Sequence, residues 1–490
     1  MGQPIDISDD HAQPITTISP AVIKVTNDRY QANPFWAGPK GLAYGLLLGH
    51  QEWQVANAYP DANCTYFVAQ FILPPHALIK LSGYYGHARY FSYTIANNLG
   101  NNVQGGGTFL RDEEILPDDD SINPFLSTNP RNVGEDQRRY TIYIHPGNPC
   151  QGSDKANTLY TGTVEPEPKA HSHLALRTYL PDAGYDGLGI ATMPGVTGGR
   201  HVQDALPTFT VVVRDPMGTG EKSYTGQAAI ELLRMKKIPQ DQEYGVYEWI
   251  GRAETSGDPI NAPAWKTPSF ERFWNMKYSV SGAFIRNQQK RVEQFPPNDD
   301  GAWLTNPDTV YQVGIFSLRH GEVVVIKGKM PSFPSTRRGN INWPSEQPEL
   351  RYWSLTTGGT APSGLGWATV YDEEIPLNKY REYTVVMSRA IDRPCNATRK
   401  NGVMWIEFGD GEGYFIGARN WVNSVYIRFQ ASAKKWIQSP NHIPIPTVDK
   451  PNPKDPDVMG KYYPTAEYTT KALFEDTFTG MPISSESSNP

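Results

Sequence analysis

The chain has 490 residues, with 45 Lys and Arg against 51 Asp and Glu, a formal net charge of −6, and 38% hydrophobic residues. That length exceeds one ordinary core and predicts two or three domains, while the balance of apolar and charged residues excludes a disordered chain. No basic stripe follows a phosphate backbone, which excludes nucleic acid as a partner. No run reaches the roughly 20 apolar residues of a helical membrane span.

Aromatic residues make up 12% of the chain, and 44 Gly and 42 Pro interrupt them often. Aromatic and β-branched runs broken by Gly, Pro, Asn and Asp predict short strands joined by turns. The opening MGQPIDISDD has neither a basic nor an apolar region, so it is not a signal peptide. Two compartments follow: the cytoplasm, or an exported protein whose leader is absent from this chain. Three cysteines, Cys64, Cys150 and Cys395, allow at most one internal disulfide, and if one forms Cys64 with Cys150 is the only plausible pair.

In chain order, residues 1–40 read as an N-terminal arm and 41–215 as a first β module. Residues 216–295 read as a helical bridge, 296–432 as a second β module, and 433–490 as an extended proline-rich tail. The two modules repeat one another. Tyr66-Phe67-Val68-Ala69-Gln70-Phe71 matches Tyr311-Gln312-Val313-Gly314-Ile315-Phe316, and each leads to a β run ending in glycine, Gly83 or Gly328. Arg89-Tyr90-Phe91-Ser92 then matches Arg351-Tyr352-Trp353-Ser354, and Asp112-Glu113-Glu114-Ile115 matches Asp372-Glu373-Glu374-Ile375. Tyr140-Thr141-Ile142 matches Tyr383-Thr384-Val385, Pro149-Cys150 matches Pro394-Cys395, and Leu174-Ala175-Leu176-Arg177 matches Val425-Tyr426-Ile427-Arg428. Six matches in one order predict a duplication.

The expected fold class is therefore all-β: two duplicated antiparallel β-sandwich or jelly-roll modules with a short helical bridge and a proline-rich tail. The bridge helix should start at Thr225 and stop at Pro239. A second helix is expected from Ser269 through Trp274, and a hairpin through Gly409-Asp410-Gly411. The R-Y-x-S strand, the acidic D-E-E-I segment, the Y-T strand and the closing Leu/Ile-Arg strand resemble bacterial extracytoplasmic proteins of unknown function. They are similar to the paired domains of unknown function numbered 1254 and 1214, most closely from Tyr383 through Trp405. That resemblance implies an exported protein and assigns no catalytic residue.

No nucleophile elbow, paired zinc-binding cysteines, P-loop or dinucleotide fingerprint is present. Histidine is where the modules differ. His145 aligns with Ser388 and His173 with Ser424. On a strand, His171 and His173 share a face, and with His145 from a neighbour they would form a three-histidine site for a transition metal ion. Arg89 and Arg351, with Arg177 and Arg428, are candidates for carboxylate- or phosphate-binding forks. The competing reading pairs Arg89 with Asp112 or Glu113, and Arg351 with Asp372 or Glu373, as structural bridges inside each module. The functional expectation is a binding or assembly protein for a small molecule, glycan or protein, with homo-oligomerisation open. The alternative is a metal-dependent oxidoreductase or hydrolase using the histidines of the first module.

Overall fold

The computed structural model of the chain describes residues 35–36, 61, 63–97, 103, 107–149, 156–162, 171–185, 188–189, 206–215, 220–235, 268–275, 278–279, 288–298, 305–337, 348–359, 366–409, 422–430 and 459–483. In the N-terminal half the strands are β1 (Cys64–Phe71), β2 (Ala77–Tyr84), β3 (Ala88–Ala96), β4 (Phe109–Arg111), β5 (Arg139–His145), β6 (Thr158–Tyr160), β7 (Ser172–Pro181), β8 (Thr208–Arg214) and β9 (Glu221–Tyr224). In the C-terminal half they are β10 (Phe270–Arg272), β11 (Thr309–Ser317), β12 (Val323–Lys329), β13 (Tyr352–Gly359), β14 (Gly366–Tyr371), β15 (Glu382–Ser388), β16 (Val403–Glu407), β17 (Val422–Gln430) and β18 (Thr465–Thr469). The protein is β-rich, as its composition predicts.

Four sheets form. The N-terminal half has one of order β1-β7-β3-β4 and one of order β6-β5-β2-β8-β9. The C-terminal half has β10-β11-β17-β13-β14 and β16-β15-β12-β18. Four consecutive strands of each N-terminal sheet thus have counterparts in the same order in a C-terminal sheet. Pairing is antiparallel except between β5 and β6 and between β15 and β16, which run parallel. This departs from a purely antiparallel expectation. A parallel neighbour needs a crossover connection, and the link between β15 and β16 carries two short 3-10 turns, Ala390–Asp392 and Arg399–Asn401.

Side-chain alternation explains which faces are covered. Along β5, Tyr140, Ile142 and Ile144 are buried while Arg139 and Tyr143 are exposed, the period of two of a half-buried strand. β3 and β7 are buried along almost their whole length. Phe91, Tyr93 and Ile95 of β3 join Ile79, Leu81, Ile142, Ile144, Phe209 and Val211 of the second sheet in one core. On the opposite face Tyr90 and Ser92 meet the other half of the chain, while buried Thr94 accepts from Arg177 of β7 (2.8 Å). Tyr90 donates to Asp308 (2.9 Å), Asn306 donates to Ser92 (3.4 Å), and the rings of Tyr179 and Tyr352 lie 5.4 Å apart.

The glycines that close the two repeated runs serve one purpose. Gly83 stands opposite Tyr140 in the ladder, and a Cβ there would lie 2.8 Å from the Tyr140 hydroxyl. Gly328 stands opposite Tyr383 and meets its hydroxyl in the same way.

The segments outside the repeats contribute strands, which moves the expected boundaries. β9 lies beyond residue 215 and pairs with β8, and β10 lies within 216–295 and pairs with β11. β10 replaces the helix expected from Ser269 through Trp274, because Phe270 anchors this segment in the C-terminal core. Three short helices are described: α1 (Gly226–Leu232), α2 (Gln288–Gln294) and α3 (Lys471–Thr477). α1 begins after Thr225, as expected, without a capping bond from its side chain. Residues 433–490 are not simply an extended tail. β18 extends the β12 edge, and Phe474 of α3 packs with Val323, Val325, Val386, Ala397 and Val403. The boundary at 432 therefore leaves out part of the second unit. The turn at 410–418, Pro239 and Cys150 lie outside the described residues. Cys64 is a buried free thiol and Cys395 an exposed one. Among the described residues no helix is long and apolar enough to cross a membrane.

Candidate functional site

The repeated acidic motifs build identical local structures. Asp112–Glu114 and Asp372–Glu374 each form a 3-10 turn. Asp112 accepts the backbone N–H of Phe91 (2.9 Å) and of Glu113 (2.7 Å). Asp372 accepts those of Trp353 (3.0 Å) and Glu373 (2.8 Å). The last glutamate of each turn folds back on the residue preceding it: Glu114 on the Arg111 N–H and Glu374 on that of Tyr371 (3.3 Å each). Each aspartate is thereby aimed out of its turn toward a single guanidinium.

That guanidinium comes from the other half of the chain. Arg89 donates to Asp372 at 2.6 Å and also to Glu373, with all three side chains almost wholly buried. Arg351 reciprocates, donating to Asp112 at 3.0 Å with Glu113 4.0 Å away. Each guanidinium also donates to the other arginine's backbone carbonyl, Arg351 to that of Arg89 (2.6 Å) and Arg89 to that of Arg351 (3.4 Å). The aromatic shell is reciprocal as well. Arg89 lies over Tyr352 and Phe333, and Arg351 lies over Tyr90 and Phe125.

The bridges expected inside each module are therefore exchanged between the halves. A second layer follows the same rule. Asp61 accepts from Tyr352 (2.9 Å) and Ser354 (2.5 Å), while Asn306, at the matching place, donates to Ser92 (3.4 Å). The contact is self-complementary, as in a two-fold dimer interface.

Each guanidinium serves two carboxylates, so the lock buries more negative than positive charge. Burial pushes Asp112 up to about 6 despite Arg351, and it raises Asp372 despite Arg89. Burial works against the Arg89 charge, but Asp372 and Glu373 outweigh it and hold the cation. Burial also lifts Glu374 to about 7 and carries Asp308 well above the ordinary carboxylate range. Arg89 and Arg351 were candidates for ligand forks. Here Arg89 is fully buried in ion pairs and Arg351 nearly so, which leaves neither fork facing solvent.

The histidine candidates divide. His171 and His173 are buried side by side at the start of β7. His145 lies on β5, in the other sheet, where its ring faces Tyr160 at 5.8 Å. The expected three-histidine site is not assembled, because the strand taken as a neighbour belongs to a different sheet. Among the described residues no group of three His, Cys, Asp or Glu side chains is placed to hold a metal ion.

What the pair does have is unmet hydrogen-bonding capacity. His173 Nδ1 is 2.7 Å from the Asn97 carbonyl, and its Nε2 has no partner in the protein. Both ring nitrogens of His171 lack partners, as does the amide nitrogen of Gln70, which stands opposite His173 in the ladder. Burial lowers His173 to about 4, so its ring is neutral near pH 7. Each buried polar atom left unbonded costs about 1–3 kcal/mol, which makes the cluster expensive for the fold alone. At the corresponding place in the C-terminal half, Ser424 stands opposite Ile315. Gln70 escaped the sequence reading because a lone glutamine in a strand carries no motif. Its register opposite His173 is the signal that finds it. A second polar departure, Gln312, is fully buried where the N-terminal half has Phe67.

No family model and no curated protein matches the chain. Among solved structures, the chain is similar to an uncharacterised protein of Burkholderia cenocepacia at 10% identity, covering 92% of this chain and 96% of that one, with a TM-score of 0.42. It is also similar to a Vibrio parahaemolyticus protein at 11% identity, covering 84% and 90%, with a TM-score of 0.34.

Proposed function

We propose that this protein is a binding scaffold: two copies of one β-sandwich module locked face to face, with ligand recognition in the N-terminal copy. The supporting observation is how polar residues divide between roles. Those common to both halves (Arg89 and Arg351, Asp112 and Asp372) are consumed in holding the halves together. The pair opposed in β1 and β7, Gln70 and His173, has no polar counterpart pairing in the other half, yet it is buried with bonding capacity unused. A fold that builds the same strand order with Ile315 and Ser424 does not need that polarity. Recognition of something from outside the chain accounts for it. An extracytoplasmic location belongs to the proposal and rests on the resemblance of the repeated motifs alone.

The test is mass spectrometry of the full chain, purified untagged without chelators, under native and then denaturing conditions. A native mass above the denatured one, by a fixed and reproducible increment, is the expected result. Equal masses from several independent preparations would overturn the reading.

A further inference from the structure

We infer that His171 and His173 are the imidazole ligands of a divalent ion of the zinc–copper class, with the Gln70 amide beside them. This rests on the one-sided recognition proposed above and gives the ligand its chemical class.

The bonding of His173 sets the state of its ring. A backbone carbonyl only accepts, so the contact with Asn97 puts the proton on Nδ1 and leaves the Nε2 lone pair pointing away. Histidines that bind metals are oriented in this manner, through a bond from the far nitrogen to a carbonyl or carboxylate. A histidine serving only as core filler has its nitrogens bonded. His173 is bonded at one and His171 at neither, though both are more than nine-tenths buried.

Placement brings the three side chains together. His171 lies two residues before His173, on the extended approach to β7, so both rings project to one side. Gln70 is the cross-strand partner of His173 and shares its face of the sheet. Its amide nitrogen has no partner, and a half-turn of the amide presents the oxygen there instead. Two imidazoles with an amide oxygen suit zinc or copper. Magnesium and calcium take oxygen ligands throughout and are excluded by the same donor set. His145, from the opposite sheet, is not part of this site.

The experiment is titration of the untagged, chelator-stripped full chain with Cu²⁺, followed by electron paramagnetic resonance. Zinc competition is read in the same samples. One equivalent of copper showing nitrogen hyperfine structure from two imidazoles, displaced by zinc, is expected. His171→Ala and His173→Ala should each weaken binding roughly tenfold or more, with circular dichroism confirming the fold. Should either variant fail to fold, the wild-type spectrum decides alone. Copper bound without imidazole hyperfine structure, or bound equally well by both folded variants, contradicts the assignment. An organic mass increment in a protein that binds no copper would sink the metal and spare one-sided recognition. Neither copper binding nor a mass increment would sink both.

Discussion

Arg89 and Asp372 are 283 positions apart in the sequence, and their side chains meet at 2.6 Å in the interior. Their counterparts Arg351 and Asp112 repeat the contact in the opposite sense at 3.0 Å. The two halves therefore exchange ligands for each other's charges, and truncating one member strands a buried ion.

Arg89→Ala should cost about 3–5 kcal/mol, the penalty for leaving buried carboxylates uncompensated. Arg351→Ala should cost less, because its side chain keeps 11% of its surface exposed. Urea denaturation of the full chain measures both. Arg89→Lys should not restore stability, since one ammonium cannot fork onto both Asp372 and Glu373.

The raised carboxylates set a pH dependence. Asp112 at about 6 and Glu374 at about 7 both hold protons in the folded state that they release when unfolded. Their contribution to stability is fully present below the unfolded value near 4 and is lost as pH rises through 6 to 7. Glu374→Gln should flatten this decline between pH 5 and 7 relative to wild type, in denaturation midpoints measured at half-unit steps. An unchanged slope would show that Glu374 does not titrate there.

Gly83 and Gly328 should be intolerant of alanine, each losing about 1–3 kcal/mol by overpacking against a tyrosine hydroxyl. The close approach is to the ring end, so Tyr140→Phe should partly relieve Gly83→Ala. Thermal unfolding of the single and double variants tests this.

The C-terminal segment should be integral to the second unit. Phe474→Ala should cost about 3–5 kcal/mol, because the ring fills a buried cluster against β12, β15 and β16. A loss under about 1 kcal/mol would return the segment to the status of a loose tail.

Much of the strand plan was legible in the sequence, because the repeated strings carry both the alternation and the turn residues. Which acid each arginine meets was not. Sequence proximity favours Arg89 with Asp112, and nothing in the strings reports that Tyr90 and Ser92 are covered by the other half. Alternation of that kind ordinarily means a wet face. β18 was hidden for another reason: it follows a proline-rich stretch that reads as extended chain, and only its pairing with β12 makes it a strand. The histidine pair was visible as an H-x-H spacing. Its third member was misassigned because consecutive modules of strands do not disclose which sheet each strand joins.

Double-mutant cycles on Arg89 test the crossed lock most directly. Arg89→Met is combined with Asp372→Asn in one cycle and with Asp112→Asn in the other, with unfolding free energies measured for all variants. The crossed lock predicts a coupling of about 1.5 kcal/mol or more with Asp372 and a much smaller one with Asp112. The larger coupling falling on Asp112 would contradict it.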